Sequence, residues 1–248
     1  MHPLVQSTLS QKTNVRAFLF SLLYSAHMAK PATAARRQPA RQPRGERTKS
    51  AILRCAVNLA SVEGLEGLSI GRLAEELSMS KSGLFAHFGS KLELQLETIE
   101  AARQIFMEEI VQPAMANPEG MLQLWALCDG WLSHVERRVF LGGCFFTAAA
   151  FEFDSRRGPI RNRIAEIMQG WIAKLQRAIE AAQKTGQLDP KVDAAQLASE
   201  MNSLAMGAHL ATQLFDDKKS YAKTRANILQ KLRSLATSKS PPLPEVRA

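Results

Sequence analysis

Strand signals are nearly absent from this sequence. No segment sustains an apolar–polar alternation, and no Asn-Gly or Asp-Gly pair joins two such runs, so an all-α chain is expected. Cysteine is scarce. The three thiols, Cys55, Cys128 and Cys144, stand far apart with no CxxC or Cys/His spacing. That argues against a disulfide framework or a zinc site and fits a reducing cytosol. The five histidines are scattered, and no clustered His/Asp/Glu, phosphate-cradling glycine loop or nucleophile motif occurs. The sequence therefore offers no catalytic constellation and calls for no metal or cofactor. The apolar run Ala17–Ala26 is too short to span a bilayer, so no membrane partner is expected. Acids are missing from the start of the chain. Residues 1–54 hold ten Lys and Arg against one acid, Glu46, which equals the whole net charge of +9; the other residues balance at 22 and 22.

What is present begins with that basic arm. A cationic segment ahead of a neutral body suits a polyanionic partner. Residues 30–45 are rich in Pro, Ala, Arg and Gln, as linkers are. Residues 1–45 are accordingly expected to be a disordered basic extension, with residues 1–27, ahead of Met28, reading as an upstream addition. Periodicity then predicts nine helices, over about Glu46–Val62, Ile70–Leu77, Lys81–His87, Lys91–Val111, Glu119–Arg137, Cys144–Phe153, Pro159–Thr185, Asp193–Phe215 and Ser220–Ala236. Gly64, Gly89-Ser90, Pro113, Asn117-Pro118, Gly142-Gly143, Gly158-Pro159, Gly186 and Pro190 punctuate them. The tail 238–248, with three prolines, is expected to be disordered.

The most informative stretch is Leu68–Lys91, LSIGRLAEELSMSKSGLFAHFGSK. It reads as two short helices and a tight turn running into a third helix, the layout of a helix-turn-helix. Ser69, Ser80 and Ser90 stand at helix starts, where a hydroxyl caps free amides. A recognition helix needs small or polar residues outward and an apolar inner face. Lys81, Ser82, Gly83, Phe85, Ala86 and His87 meet the first need, Leu84 and Phe88 the second. Gly83 costs roughly 1 kcal/mol relative to Ala inside a helix; close backbone approach to DNA is a reason to accept that cost. Lys91 and Ser82 suit phosphate contacts, while Lys81 can donate to guanine O6 or N7.

Residues 47–100 resemble the DNA-binding domain of the TetR (tetracycline repressor) family. The matching features are Arg47-Thr48-Lys49-x-x-Ile52-Leu53, the Gly64 to Leu68-Ser69 turn, Ile70-x-x-Leu73-Ala74 and, most specific, Ser80-Lys81-Ser82-Gly83-Leu84-Phe85-x-His87-Phe88-x-Ser90-Lys91. The resemblance implies a three-helix DNA-binding domain at 46–91 and a helical effector-binding and dimerisation domain at 92–237. It implies DNA contacts at Lys49, Ser69, Lys81, Ser82, Gly83, Phe85, His87 and Lys91. Tyr is frequent at the position of Phe85, and Phe85 lacks its hydroxyl, which leaves contact with thymine methyls.

The resemblance further implies that the last two long helices pair across a two-fold axis, and Leu204, Gly207, Ala208, Ala211, Ile228 and Leu232 are the expected interface. Bulky apolar residues on the middle helices, Trp125, Cys128, Phe145, Phe146, Phe151, Met168, Trp171 and Met201, are the candidates for a pocket holding a small apolar effector. The expectation is a homodimeric cytoplasmic repressor, not an enzyme, that binds a palindromic double-stranded operator and is released by its effector. An activator or a protein-responsive regulator is the alternative of the same class, an α-helical enzyme that of another.

Overall fold

The computed structural model describes residues 44–245. The readings of the basic extension and of Ala17–Ala26 lie outside the described residues. Within them, nine helices follow one another and no strand forms; a single bridge joins Leu188 to Ala236. The first, α1 (Arg44–Glu63), begins slightly before its expected start and buries Ile52, Cys55, Ala56, Leu59 and Ala60. Gly64 ends it with φ +89°, its amide donating to the Ala60 carbonyl.

Two short helices, α2 (Ile70–Leu77) and α3 (Lys81–Phe88), lead into α4 (Lys91–Phe106). Each starts on a serine whose hydroxyl oxygen accepts an amide three residues on, at 3.1 Å: Ser69 from Arg72, Ser80 from Gly83, Ser90 from Glu93. Such caps each contribute about 1 kcal/mol. They let eight-residue helices persist that isolated chains would not hold.

The fourth helix does not stop at Val111 as expected. It widens into a π-helical turn (Met107–Val111) and finishes as Gln112–Met115. The amide of Gln112 reaches five residues back to the Met107 carbonyl. Pro113 explains the wide turn. It has no amide to donate and would crowd the carbonyl four residues before it in a regular helix, and a π turn relieves that crowding.

Behind this lie α5 (Met121–Glu136), α6 (Phe145–Phe153), α7 (Pro159–Lys184), α8 (Ala194–Phe215) and α9 (Ser220–Leu235). The first half of α4 packs on α1 and its second half on α5 and α7; α6 packs between α1 and α7; α8 lies between α7 and α9. One apolar core runs through all of them. Arg225 on α9 is clamped to α5 by Asp129 at 2.6 Å and Glu136 at 2.9 Å. The tail departs from expectation over 238–245. Thr237 donates its amide to the Gln187 carbonyl, Leu243 packs on the core and Arg233 donates to the Pro244 carbonyl at 2.6 Å. Three prolines fix an extended path that lies on α9 instead of leaving it.

Candidate nucleic-acid interface and effector cavity

The inner face of α3 is Leu84, fully buried, and Phe88, also buried. Its other side presents Lys81, Ser82, Phe85 and Ala86 to solvent, with Gly83 and His87 half-exposed. Phe85 leaves half its surface, 51%, in water. Its ring is thus available to a surface that meets the outer face of α3. Lys81 has no ion-pair partner among the described residues, and its side chain lies over Gly71 of α2, 3.6 Å from where a Cβ would stand. The Ser80 hydroxyl caps α3 and lies 3.3 Å from that of Ser82. Ser69 accepts the Arg72 amide and keeps its own hydrogen free to donate.

Two of the eight expected DNA contacts are placed differently. Lys49 pairs with Glu97 at 2.6 Å and stands over the Phe88 ring at 5.5 Å, so it ties α1 to α4. Lys91 donates to the Glu66 carboxylate at 2.9 Å and to the Glu66 carbonyl at 2.8 Å. That hydrogen bond holds the Glu66 carboxyl below its ordinary pKa. Spacing could not reveal these acids, because Glu66 and Glu97 come from other elements.

The turn between α1 and α2 is held from two sides. Buried Gln95 of α4 donates to the Leu65 carbonyl at 2.8 Å. The Glu152 carboxylate of α6 accepts the amides of Leu65 at 2.8 Å and Glu66 at 2.9 Å. Gly64, in its left-handed conformation, makes room for that carboxylate; a Cβ there would stand 2.9 Å from an Oε of Glu152. Nearby, Gly142 donates to the Ser61 hydroxyl at 3.0 Å, and a Cβ on it would meet the Ser61 carbonyl oxygen at 1.8 Å. Only glycine allows the two backbones so close.

Both α4 and α6 continue from this turn to a cavity of about 300 Å³. Its floor is buried: Phe106 and Val111 of α4, Trp131 of α5, and Cys144, Phe146 and Thr147 at the start of α6. Met107 and, from α7, Ile167, Met168 and Trp171 form the walls with Asn202 and Met206 of α8. Charges gather at the rim: Arg103, Arg163, Glu166 and Lys174. Of the expected pocket residues, Phe146, Met168 and Trp171 line this space. Trp125, Cys128, Phe145 and Met201 do not; they are buried in the core on the other sides of their helices, and Phe151 is exposed. A period of 3.6 residues marks an apolar side of a helix but not which part of it faces a void.

The same limit applies to the expected interface. Ala208, Ile228 and Leu232 are buried within the single chain, so they are core between α8 and its neighbours. Leu204 and Gly207 are exposed and Ala211 half-exposed, on a stripe of α8 that continues through Leu210, Leu214 and Phe215, the last two 66% and 69% exposed.

Two family models match this chain: "Bacterial regulatory proteins, tetR family" over residues 52–98 and "Tetracyclin repressor-like, C-terminal domain" over residues 120–228. The chain belongs to the TetR family. Among curated proteins it is similar to the transcriptional repressor AcnR of Corynebacterium jeikeium, 29% identical over 48% of this chain and 64% of that one. It is also similar to the transcriptional regulator TcmR of Streptomyces glaucescens, 33% identical over 32% of this chain and 35% of that one. The chain thus spans about a third to under two thirds of the length of these relatives. Among solved structures, a TetR regulator from Chloroflexus aurantiacus shares the fold with TM-score 0.72 at 21% identity, over 77% of this chain and 97% of that one. AibR, solved with isovaleryl coenzyme A and operator DNA, shares it with TM-score 0.59 at 20% identity, over 73% and 95%. In this TetR-family frame, the helix-turn-helix is α2–α3, and the matched C-terminal segment carries most of the cavity wall. No helix among the described residues is long and apolar enough to cross a membrane.

Proposed function

We propose that this chain is a DNA-binding transcriptional regulator, a cytoplasmic homodimeric repressor without catalytic activity, which leaves its operator when a small molecule fills the cavity. The observation that carries the reading is α3: a capped helix anchored by Leu84 and Phe88, with Lys81, Ser82 and Phe85 exposed on its outer face. Lys81 is assigned to a base edge, Ser82, Ser69 and His87 to phosphates, and Phe85 to thymine methyls, with Gly83 letting the backbone approach. Lys49 and Lys91 are assigned a positioning role, since each is already tied to an acid. The domain at 46–91 shares α4 with the sensing domain at 92–237.

The α8 stripe of Leu204, Gly207, Ala211, Leu214 and Phe215 is the proposed dimer face. Two-fold pairing there would set two α3 helices about one DNA turn, ~34 Å, apart on a palindromic site. Names of relatives support repression, and AibR's ligand and operator support a small-molecule effector. Coupling between cavity and operator runs through the turn at 64–68, gripped by Gln95 and Glu152; such couplings amount to ~1–3 kcal/mol. DNase footprinting of the DNA upstream of the gene tests this. The proposal predicts a protected, symmetric site that Lys81→Ala loses. Uniform cleavage at micromolar protein would overturn it.

A further inference from the structure

The cavity's walls and rim differ in kind, and the difference names a ligand class. Below, the lining is apolar and buried, as at Phe106, Trp131 and Phe146. At the rim stand three cations, Arg103, Arg163 and Lys174, and one acid, Glu166. The two arginines are already engaged: both donate to Glu100 of α4, and Arg163 also donates to Glu166 at 2.6 Å. Lys174 is half-buried, lines the same space and has no ion-pair partner among the described residues. One helical turn before it is Gly170, also at the rim, where a Cβ would meet nothing within 4 Å. The rim therefore has open space at Gly170, one helical turn from an unpaired lysine.

We propose that the cavity binds an amphipathic anion, an apolar chain or ring body bearing one carboxylate or phosphate head that pairs with Lys174. This rests on reading the cavity as the effector site. A cationic ligand would meet an excess of positive charge, and a neutral one would leave the Lys174 ammonium unpaired. An anion instead gains a charge-assisted hydrogen bond, the strong kind. The remaining donors of Arg103 and Arg163 lie on the same rim, so the field favours a negative head even before contact.

The test is calorimetric titration of the full chain with octanoate, octyl phosphate and octanol. The proposal expects one or both anions to bind about tenfold more tightly than octanol, as one hydrogen bond to a charged group would give. The tighter of the two anions assigns the head group. Lys174→Met should erase that preference and leave octanol affinity unchanged. Gly170→Trp, whose Cβ has open space, should fill the mouth and weaken binding of all three, with its melting temperature measured alongside. Octanol binding as tightly as the anions, a preference that survives Lys174→Met, or no binding of any probe would overturn the proposal. Operator affinity of the unliganded protein, measured alongside, judges the regulator reading separately.

Discussion

The two ends of α4 are built differently. At its start, Leu94, Thr98 and Ile99 are fully buried, Gln95 spends its amide on the Leu65 carbonyl and Ser90 caps the first turn. At its end the helix opens into a π turn, borders a cavity, and packs Phe106 against His134, a fully buried imidazole with neither nitrogen hydrogen-bonded. The helix-turn-helix end is close-packed and satisfied, and the cavity end, proposed to sense the effector, keeps a void and unmet polar atoms. Rigid placement suits reading a fixed DNA surface, while spare volume lets a ligand change the packing. Stability within one fold can be distributed that unevenly.

The largest expected effect probes packing at the two ends. Leu84→Ala, in the closed core of the recognition end, should cost about 2–5 kcal/mol. Met168→Ala should cost less than half as much, because Met168 is only half-buried and gives up less burial on truncation. Denaturant unfolding of both variants measures this, and equal costs would break the comparison.

Acid should strike the sensing end next. Burial pushes the His134 imidazole down to about 4 from an ordinary 6.5. Between those values the unfolded chain binds the proton and the folded chain does not, so stability falls as pH drops through that window and levels off below it. The full loss is about 3 kcal/mol. His134→Phe should reduce the slope between pH 6.5 and 4, leaving the share of buried His209, whose pKa burial also lowers; an unchanged profile would place the acid sensitivity elsewhere.

At the recognition end, Lys81→Ala should weaken operator binding by about 1–3 kcal/mol with no change in melting temperature. Band-shift titration reads it directly, and unchanged affinity would remove α3 from the DNA surface. The smallest effect belongs to the joint between the ends. Glu152→Gln keeps one carbonyl acceptor where the carboxylate received two amides. It should cost about 1 kcal/mol of stability and speed hydrogen exchange at Leu65 and Glu66. Unaltered exchange would mean that α6 does not hold the turn.

Much of the recognition end was legible in the sequence. Serine caps, the Leu84/Phe88 inner face and the Gly64 and Gly89 stops are local signals, and α2 runs over Ile70–Leu77 as expected. The joint was not legible, because Glu152 lies 87 residues from the Leu65 amide it accepts. Nothing in either segment announces the other. The cavity was partly legible: bulk and spacing point to Phe146, Met168 and Trp171, while nothing in the sequence marks Arg103, Arg163, Glu166 and Lys174 as its rim. The interface was misread at Ala208, Ile228 and Leu232, since apolar periodicity cannot separate a core within one chain from a surface shared by two.

The central claim is that the outer face of α3 reads a specific DNA site. Fluorescence anisotropy of the full chain with labelled DNA from upstream of its own gene, against a scrambled sequence of equal length and composition at matched salt, tests it most directly. The account predicts a preference of at least ~10³ for the upstream sequence, as specific DNA-binding proteins show. Equal affinities falling in parallel with added salt would reduce the interaction to phosphate attraction and contradict the account.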